Sequence, residues 1–303
     1  MLVMFLCMVI GYTANKLKLA PDNTATVLSK LENYFFVPAL IINTFMKYCT
    51  VQSVTEQYRL ILYCLVALVL ALAVALPLSK VFAGGDGYKR NIYKYALAFG
   101  NFSFMGNAIV PAIMGEAALY DYMLFILPLN VAVYTWGVII LIPKGEKKQS
   151  VLKSLLNPIF VSILIGAAIG LSGLSEAIPK FVTQTISNCS SCMGPLAMIL
   201  TGFVIGSYDI PSLLKNKRVY LATLLRLVVL PAVFIIVLKL LGADKNTLYL
   251  ALIAFGTPLG LNTVVFPAAY GGDTSTGASM AMISHTLCVI SIPIMYALLT
   301  VLV

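Results

Sequence analysis

The chain has 303 residues, of which 60% are hydrophobic and only 10% carry a charge. Because a soluble domain is about one quarter charged, this composition excludes a soluble globular protein and indicates a membrane protein with several spans. The formal net charge of +9 would suggest a nucleic-acid partner in a soluble protein. Here most basic residues fall in short loops between apolar segments, so no nucleic-acid partner is expected.

Ten apolar segments follow one another along the chain, most of them close to the 20 residues or so that cross a bilayer. The predicted spans are 1–16, 28–47, 58–82, 93–115, 120–142, 155–173, 181–207, 218–241, 247–271 and 275–303. The first has no basic start and no clear cleavage site, so it is interpreted as a retained span rather than a signal peptide. The predicted fold class is an all-α polytopic membrane protein with ten transmembrane helices.

A basic connecting loop, 144–154, is the most polar segment and separates two predicted five-helix repeats, 1–143 and 155–303. Fourteen Lys and Arg residues lie in odd-numbered loops and five in even-numbered loops, while Arg226 lies within a span. The positive-inside rule therefore puts the connecting loop in the cytoplasm and both termini outside. The expected location is the plasma (inner) membrane.

An eighteen-residue segment occurs twice, at 98–115 (AFGNFSFMGNAIVPAIMG) and, 156 positions later, at 254–271 (AFGTPLGLNTVVFPAAYG). Six aligned positions are identical, among them Gly100 with Gly256. The copies lie in spans 4 and 9, and because each half has an odd number of spans, the second half must enter from the opposite side. This pattern is typical of the inverted repeats of secondary transporters, in which broken helices meet at the substrate site.

Glycine and proline interrupt both copies and favour unwinding of a helix. Unwound backbone at membrane depth is tolerated only inside protein or beside water. Helices 4 and 9 are therefore predicted to be broken and to cross near the midplane, where half-helix N-termini would favour a carboxylate. Packing glycines and proline kinks are the alternative. The candidate substrate-binding residues are Asn101, Gly106, Asn107, Gly260, Asn262 and Thr263.

Other polar residues interrupt spans 7, 8 and 10. Ser190 and Ser191 in span 7 are small enough either to permit close helix packing or to line a cavity. Arg226, about one turn inside the cytoplasmic end of span 8, would either snorkel to the headgroups or balance an anionic substrate. His285 in span 10 is interpreted either as a packing residue or as a proton carrier.

Acidic residues are few. Glu32, at the start of span 2, is close to Lys30 in the sequence and is expected to be solvated or paired. Glu116 and Asp273 follow the two repeated segments and are expected at external helix ends, as caps or solvated groups. No acidic residue lies at an obvious midplane position, which argues against Na⁺ or H⁺ coupling through a buried carboxylate.

Enzymes and ATP-driven pumps are disfavoured, because the sequence has no Walker A motif, no His-Glu-x-x-His and no nucleophile elbow. Cys189 and Cys192 have the spacing of a metal or redox pair, but a second pair and a nearby His are missing from the sequence. Zinc sites normally need four ligands. No metal and no cofactor is therefore expected.

Several short motifs follow one another in a fixed order. They are GYTANKLKL at 11–19, VPALI at 37–41, NFSFMG at 101–106, NP at 157–158, GPLA at 194–197 and YGGD at 270–273. In this order they resemble the motifs of the auxin efflux carrier family, which includes plant auxin exporters and bacterial permeases for malate or malonate. The resemblance covers essentially the whole chain.

The resemblance implies an elevator-type carrier with a scaffold domain and a transport domain, often dimeric, that binds a substrate carboxylate where spans 4 and 9 cross. That role falls to Asn101 and to the backbone around Asn107–Ala108 and Asn262–Thr263. Many relatives have a proline at each crossover, where this chain carries Ala108 and Thr263. This departure would loosen the unwinding and alter the substrate preference.

The predicted function is secondary transport of a small organic anion, such as a carboxylate, by alternating access. Two alternatives stay open. One is a facilitator or channel for a neutral solute or amino acid, which the lack of a midplane counter-charge favours. The other is a non-transporting membrane receptor or scaffold. The expected partners are a small-molecule substrate and the lipid bilayer, with a homodimer as a further implication of the resemblance.

Overall fold

The computed structural model of the protein describes residues 2–21, 23–143, 156–269 and 272–302. Within these ranges the chain is almost entirely helical, and the β-structure is limited to one backbone bridge between Gly100 and Leu259. The predicted all-α membrane protein is confirmed. The predicted connecting loop, 144–154, lies outside the described residues, as do the first two residues of the YGGD motif.

The helices are numbered here in chain order. They are α1 (Leu2–Lys16), α2 (Thr24–Tyr48), α3 (Val51–Ala83), α4 (Gly87–Ala98), α5 (Phe102–Met114), α6 (Glu116–Phe125), α7 (Leu127–Leu141), α8 (Pro158–Ser172), α9 (Lys180–Gly206), α10 (Ile210–Leu214), α11 (Lys217–Leu240), α12 (Lys245–Gly256), α13 (Asn262–Ala269) and α14 (Ser275–Leu302).

Among the described residues, α2, α3, α9, α11 and α14 are long and apolar enough to cross a membrane. The bent pair of α6 and α7 adds a sixth candidate if it forms one span. Helices α1, α5 and α8 are apolar but shorter. The count of ten spans therefore stays a prediction.

Side-chain caps fix where several helices begin. Asp86 accepts hydrogen bonds from the backbone N–H groups of Tyr88 (2.8 Å) and Lys89 (3.0 Å) at the start of α4. Asn157 and Asp244 cap α8 and α12 in the same way. Such caps satisfy N–H groups that have no partner within the helix. The N–H of Lys89, followed by that of Tyr88, lowers the pKa of the Asp86 carboxyl from its usual value.

The chain divides into two compact units. Unit 1 comprises the described residues within 1–59, 107–124 and 152–207, and unit 2 those within 60–106, 125–151 and 208–303. Each unit takes segments from both predicted halves of the chain. The chain changes unit within α3, within α5 and near the end of α6.

In unit 1, helices pack by direct contact between their backbones. A Cβ atom added at Gly11 of α1 would overlap the carbonyl group of Ile199 in α9. One added at Gly202 of α9 would overlap the carbonyl group of Met8. Gly166 permits a similar approach of α8 to α2. Membrane helices associate in this way because small residues let their backbones come close, where van der Waals packing is strongest.

In unit 2, the core is formed by α12 and the first part of α14. The segments 247–256 and 276–285 are buried at every residue. Phe255 of α12 packs edge-on against Phe234 of α11, with ring centroids 4.9 Å apart. His285 lies at the end of the second segment, and Gly260, Asn262 and Thr263 lie between the two segments in the sequence.

Glu32 begins a π-helical turn of α2, Glu32–Phe36, and is completely buried. Neither oxygen of its carboxyl group has a hydrogen-bond partner in the part of the chain that the structure describes. The prediction that Glu32 is solvated or paired is therefore wrong. The physical reason is that α9 packs against this turn and excludes water from the Glu32 side chain. The nearby Lys30 in the sequence had indicated a position at the aqueous surface.

Asp273 caps α14 by accepting a hydrogen bond from the N–H of Ser275 at 2.9 Å. The adjacent Gly272 lies against the hydroxyl group of Tyr88, at the start of α4. The predicted topology puts the start of α4 next to a cytoplasmic loop. An external Asp273 and a cytoplasmic start of α4 therefore cannot both be right, and the side on which Asp273 lies stays a prediction.

Replacing Glu32 with Met should raise the apparent melting temperature of the purified protein. The change removes a buried polar group that has no partner, at similar side-chain volume, and such a group costs about 1–3 kcal/mol. Glu56→Met is the control, because Glu56 is exposed and accepts a hydrogen bond from Gln52 at 2.8 Å; it should leave the melting temperature nearly unchanged. A lower melting temperature for Glu32→Met would contradict this account of Glu32.

Candidate functional site

Two helices are interrupted in unit 2, each inside one copy of the repeated segment. The chain leaves the helical conformation at Phe99 (φ −121°, ψ 121°), directly after α4. It does so again at Thr257 (φ −66°, ψ 151°), directly after α12. A second helix, α5 or α13, follows each break. Both breaks lie next to the glycine that the two copies share, Gly100 and Gly256.

Backbone hydrogen bonds join the two breaks. Gly100 and Leu259 form an antiparallel bridge, and the N–H of Asn101 donates to the carbonyl of Pro258 at 2.7 Å. The N–H of Leu259 donates to the hydroxyl of Ser284 at 3.0 Å. These bonds satisfy backbone groups that no longer have partners within a helix. The two interrupted helices therefore cross at their breaks, and we call this arrangement the crossover.

Local sequence explains why the breaks occur here. A Cβ atom at Gly100 would lie 2.6 Å from Nη2 of Arg226 and 2.7 Å from Oγ1 of Thr257, so no side chain fits. Pro258 has no N–H and disfavours a helical conformation in the residue before it, which ends α12. Around Gly256 the nearest atom would be 3.6 Å from an added Cβ. Lack of space therefore requires a glycine at Gly100 but not at Gly256.

Asn101 and His285, both predicted as site residues, are in contact at the crossover. The amide Nδ2 of Asn101 lies 3.1 Å from Nε2 of His285. Nδ1 of His285 lies 2.7 Å from the carbonyl oxygen of Ala281. Since a carbonyl only accepts, Nδ1 carries the proton, and in a neutral ring Nε2 accepts from the Asn101 amide. His285 thus orients Asn101.

The other predicted residues of the crossover are engaged locally. Asn262, at the start of α13, donates through Nδ2 to the hydroxyl of Tyr95 at 2.7 Å. The hydroxyl of Thr263 donates to the carbonyl of Gly260 at 2.9 Å. Gly106 is buried at the end of the π-helical turn that opens α5. Asn262 ties α13 to α4, whereas Thr263 stabilises the first turn of its own helix.

Arg226 lies at the crossover and is completely buried. Its Nη2 atom is 3.5 Å from the carbonyl oxygen of Ala254, and its Cζ atom is 5.6 Å from the centre of the Phe255 ring. The interpretation that Arg226 snorkels to the headgroups is therefore wrong. The π-helical turn that contains Arg226, Leu225–Val229, faces α12, so the side chain reaches the protein interior instead of the surface.

The remaining predicted residues line a cavity of about 260 Å³ in unit 1. Asn107 and Ala108 come from α5, and Ser190 and Ser191 come from α9. Because all four residues line the same cavity, the structure favours a cavity-lining role for Ser190 and Ser191 over a role in close helix packing. We call this space the amide cavity, because Asn43 of α2 joins Asn107 in its lining.

The two amide side chains of this cavity are buried and unsatisfied. Asn43 is 7% exposed and Asn107 is 3% exposed. Neither Oδ1 atom has a hydrogen-bond partner in the part of the chain that the structure describes. Because buried polar groups normally have partners, these amides are suited to bind a polar solute. Glu116 is the charged residue among the described residues of the lining, and it is exposed.

Sequence reasoning missed three residues that the structure brings to these places. Tyr95 lies one turn before the break of helix α4, and Ser284 directly precedes His285. Asn43 and Thr44 are adjacent polar residues in the otherwise apolar VPALIINTF segment. Each is a polar group in a predicted span, and that signal could have identified Ser284 and Asn43 as candidates.

The described residues of the crossover provide hydrogen-bonding groups and the partial charges of helix ends. Among the described residues, no group of three His, Cys, Asp or Glu side chains could hold a metal ion. The six cysteines are free thiols.

Replacing Gly100 with Ala should lower the apparent melting temperature by several degrees. The added methyl group has no room beside Arg226 and Thr257, and forcing an extra carbon into a packed interior costs about 1–3 kcal/mol. Gly256→Ala is the matched control at the aligned position, where the space is open. If both variants melt at the wild-type temperature, or the control is the less stable one, the described crossover is wrong.

Comparison with known proteins gives one clear result. A family model described as membrane transport protein matches residues 1–296 of the chain. No curated protein matches the sequence.

Proposed function

The chain belongs to the membrane transport protein family, as its motifs predicted, and we propose that it is a secondary transporter that carries a small organic anion bound at the crossover. Membership makes it a multi-pass membrane protein and a transporter rather than an enzyme, with a small-molecule substrate. The anion, the carrier mechanism and the site residues are the proposal.

The observation that carries the proposal is the electrostatic environment of the crossover. Two helices, α5 and α13, begin there with their N-terminal ends, which carry partial positive charge. The C-terminal ends of α4 and α12 also lie there, and their partial negative charge is offset by the buried guanidinium group of Arg226, which lies beside Ala254 and next to Gly100. The remaining field favours an anion, as at other helix N-termini that bind carboxylate or phosphate groups.

The proposed roles follow from the contacts. Asn101, oriented by His285, donates a hydrogen bond to the substrate carboxylate. Backbone N–H groups in the first turn of α5 and the N–H of Asn262, at the start of α13, do the same. Gly260 keeps the backbone accessible because it has no side chain. His285 acts as an orienting residue and Arg226 as the charge-balancing residue. Asn107, Ala108, Ser190 and Ser191 line the amide cavity of unit 1, where we propose that they form a separate polar binding site.

The proposed architecture is ten spans in an inverted five-plus-five repeat, with both termini outside the plasma membrane. Unit 1 takes predicted spans 1 and 2 from the first half and their equivalents 6 and 7 from the second, and unit 2 takes span 3 and its equivalent, span 8. This pairing supports the repeat. We propose that rigid-body movement of the crossover-bearing unit, in the manner of an elevator, gives alternating access. A homodimer stays a prediction.

A second candidate function is a facilitator for a neutral solute or amino acid. It is favoured by the amide cavity, whose described lining offers Asn43 and Asn107 but no cationic side chain. A neutral polar solute would satisfy these amides without needing a counter-charge. A non-transporting receptor is separated from both candidates by flux, because a receptor binds its ligand without moving it.

Stabilisation by ligands tests the proposal. Purified protein should melt at a higher temperature in the presence of dicarboxylates or indole acids than with neutral solutes of similar size, because a ligand that binds the native state stabilises it. Asn101→Ala should weaken carboxylate binding about 10-fold or more, since a hydrogen bond to a charged group contributes about 1.5–3 kcal/mol. Thermal-shift titrations measure both effects.

The control is Asn91→Ala, on helix α4 before the break, where the Asn91 side chain accepts a hydrogen bond from Lys94 at 3.1 Å. This variant should bind carboxylates as the wild type does. Stabilisation by neutral solutes alone would reject the anion proposal and support the facilitator. Carboxylate binding that Asn101→Ala leaves unchanged would reject the crossover as the site.

A further inference from the structure

A second cavity, of about 490 Å³, opens in unit 2 where α3 ends and α4 and α11 begin. Four cationic side chains line it: Lys89, Lys215, Lys217 and Arg218. We call it the basic cleft. It shares no lining residue with the crossover or with the amide cavity, and the transport function proposed above does not use it.

The charges of the basic cleft are largely uncompensated. Asp86 is the acidic residue of its described lining, and this carboxylate already accepts two backbone N–H groups at the start of α4. Its ion pair with Lys89 is long, at 3.8 Å. Lys215 and Lys217 are exposed and contribute two further positive charges. The cleft therefore attracts anions.

Arg218 is held in place at the edge of the cleft. Its Nη1 atom donates to the carbonyl of Phe82 at 3.2 Å, at the end of α3. The turn that follows α3 contains Gly84, where an added Cβ would overlap the guanidinium group. A planar guanidinium fixed in this way can present its remaining N–H groups to a tetrahedral oxyanion.

An independent observation comes from Thr276, in the first turn of α14. Thr276 lines the cleft and is only 4% exposed. A threonine hydroxyl can both donate a hydrogen bond to an oxyanion and accept one from a protonated ligand. A largely buried hydroxyl in the lining of a cationic cavity is therefore positioned to contact a bound ligand.

We propose that the basic cleft binds a phosphate group, carried either by an anionic phospholipid or by a soluble phosphate ester. A phosphate has several acceptor oxygens, and the cleft offers a guanidinium, three ammonium groups, a buried hydroxyl and the N-terminal end of α11, which has no side-chain cap. Its volume admits a phosphate together with its substituent. The predicted topology puts the cleft at the cytoplasmic surface, where anionic headgroups and phosphate esters both occur.

Displacement of a fluorescent phosphatidylglycerol from the purified, delipidated full-length protein tests the proposal. The double variant Lys215→Gln/Lys217→Gln should bind this lipid about 10-fold more weakly or worse, because each basic residue near an anionic headgroup adds favourable electrostatic binding free energy. The matched control is Lys16→Gln/Lys18→Gln, which removes the same charge from the end of α1. It should bind within about twofold of the wild type.

Thr276→Val distinguishes a built site from diffuse attraction to surface charge. Valine has the same shape without the hydroxyl, so binding should weaken about threefold or more if the hydroxyl contacts the phosphate. Wild-type binding by this variant, or equal losses in the two lysine double variants, would overturn the proposal.

Competition identifies the source of the phosphate. If glycerol 3-phosphate or inorganic phosphate displaces the lipid at constant ionic strength, the cleft takes a soluble phosphate. If only unlabelled phosphatidylglycerol does so, and zwitterionic phosphatidylcholine does not, the cleft takes a lipid headgroup. Equal displacement by phosphatidylglycerol and phosphatidylcholine would contradict anion recognition.

Discussion

The crossover depends on a constraint that the bilayer imposes: backbone N–H and C=O groups at membrane depth need partners within the protein. Interrupting two helices would leave several such groups unpaired. The structure solves this by making each interruption the partner of the other, through the Gly100–Leu259 bridge and the bond from Asn101 to Pro258. Ser284 then supplies the acceptor for the N–H of Leu259. Neither break could be satisfied in this way without the other.

This mutual dependence explains why the surrounding residues are so tightly fixed. The backbones approach closely enough to exclude any side chain at Gly100. The same closeness brings the guanidinium group of Arg226 to the end of α12, where carbonyl groups of a terminating helix need positive charge. The helix N-termini that begin at the crossover are left to act on a ligand. In the proposed function, this structural requirement of the membrane is also what makes the crossover favourable for an anion.

Two buried ionisable residues contrast with each other. Arg226 is stabilised by a carbonyl and an aromatic ring, so its burial fits the crossover. Glu32 has no hydrogen-bond partner among the described residues and sits in a π-helical turn. Such turns are frequent at functional sites, and natural proteins tolerate local instability where a residue has a role. Glu32 is therefore the residue of unit 1 whose presence most needs a functional explanation.

Much of the fold was predictable because glycine, proline and apolar length are visible in a sequence. The duplicated segment predicted both helix breaks, and hydropathy indicated where the helices lie. The directions of single side chains were not predictable. Arg226 and Glu32 are near span ends, and the π-helical turns that direct them inward leave no signal in composition. Asn101 and Asn107 are close in the sequence, which suggests a single site. The structure assigns them to different units, and this division depends on contacts between residues that are far apart in the chain.

If the chain binds an organic anion at the crossover and moves it as a carrier, its transport should saturate. The initial rate of uptake of a radiolabelled carboxylate into proteoliposomes, measured against the carboxylate concentration, tests this. We expect a saturable rate that preloading the vesicles with unlabelled carboxylate accelerates, as alternating access requires. Uptake that rises linearly without saturation, or carboxylate binding without any uptake, would contradict it.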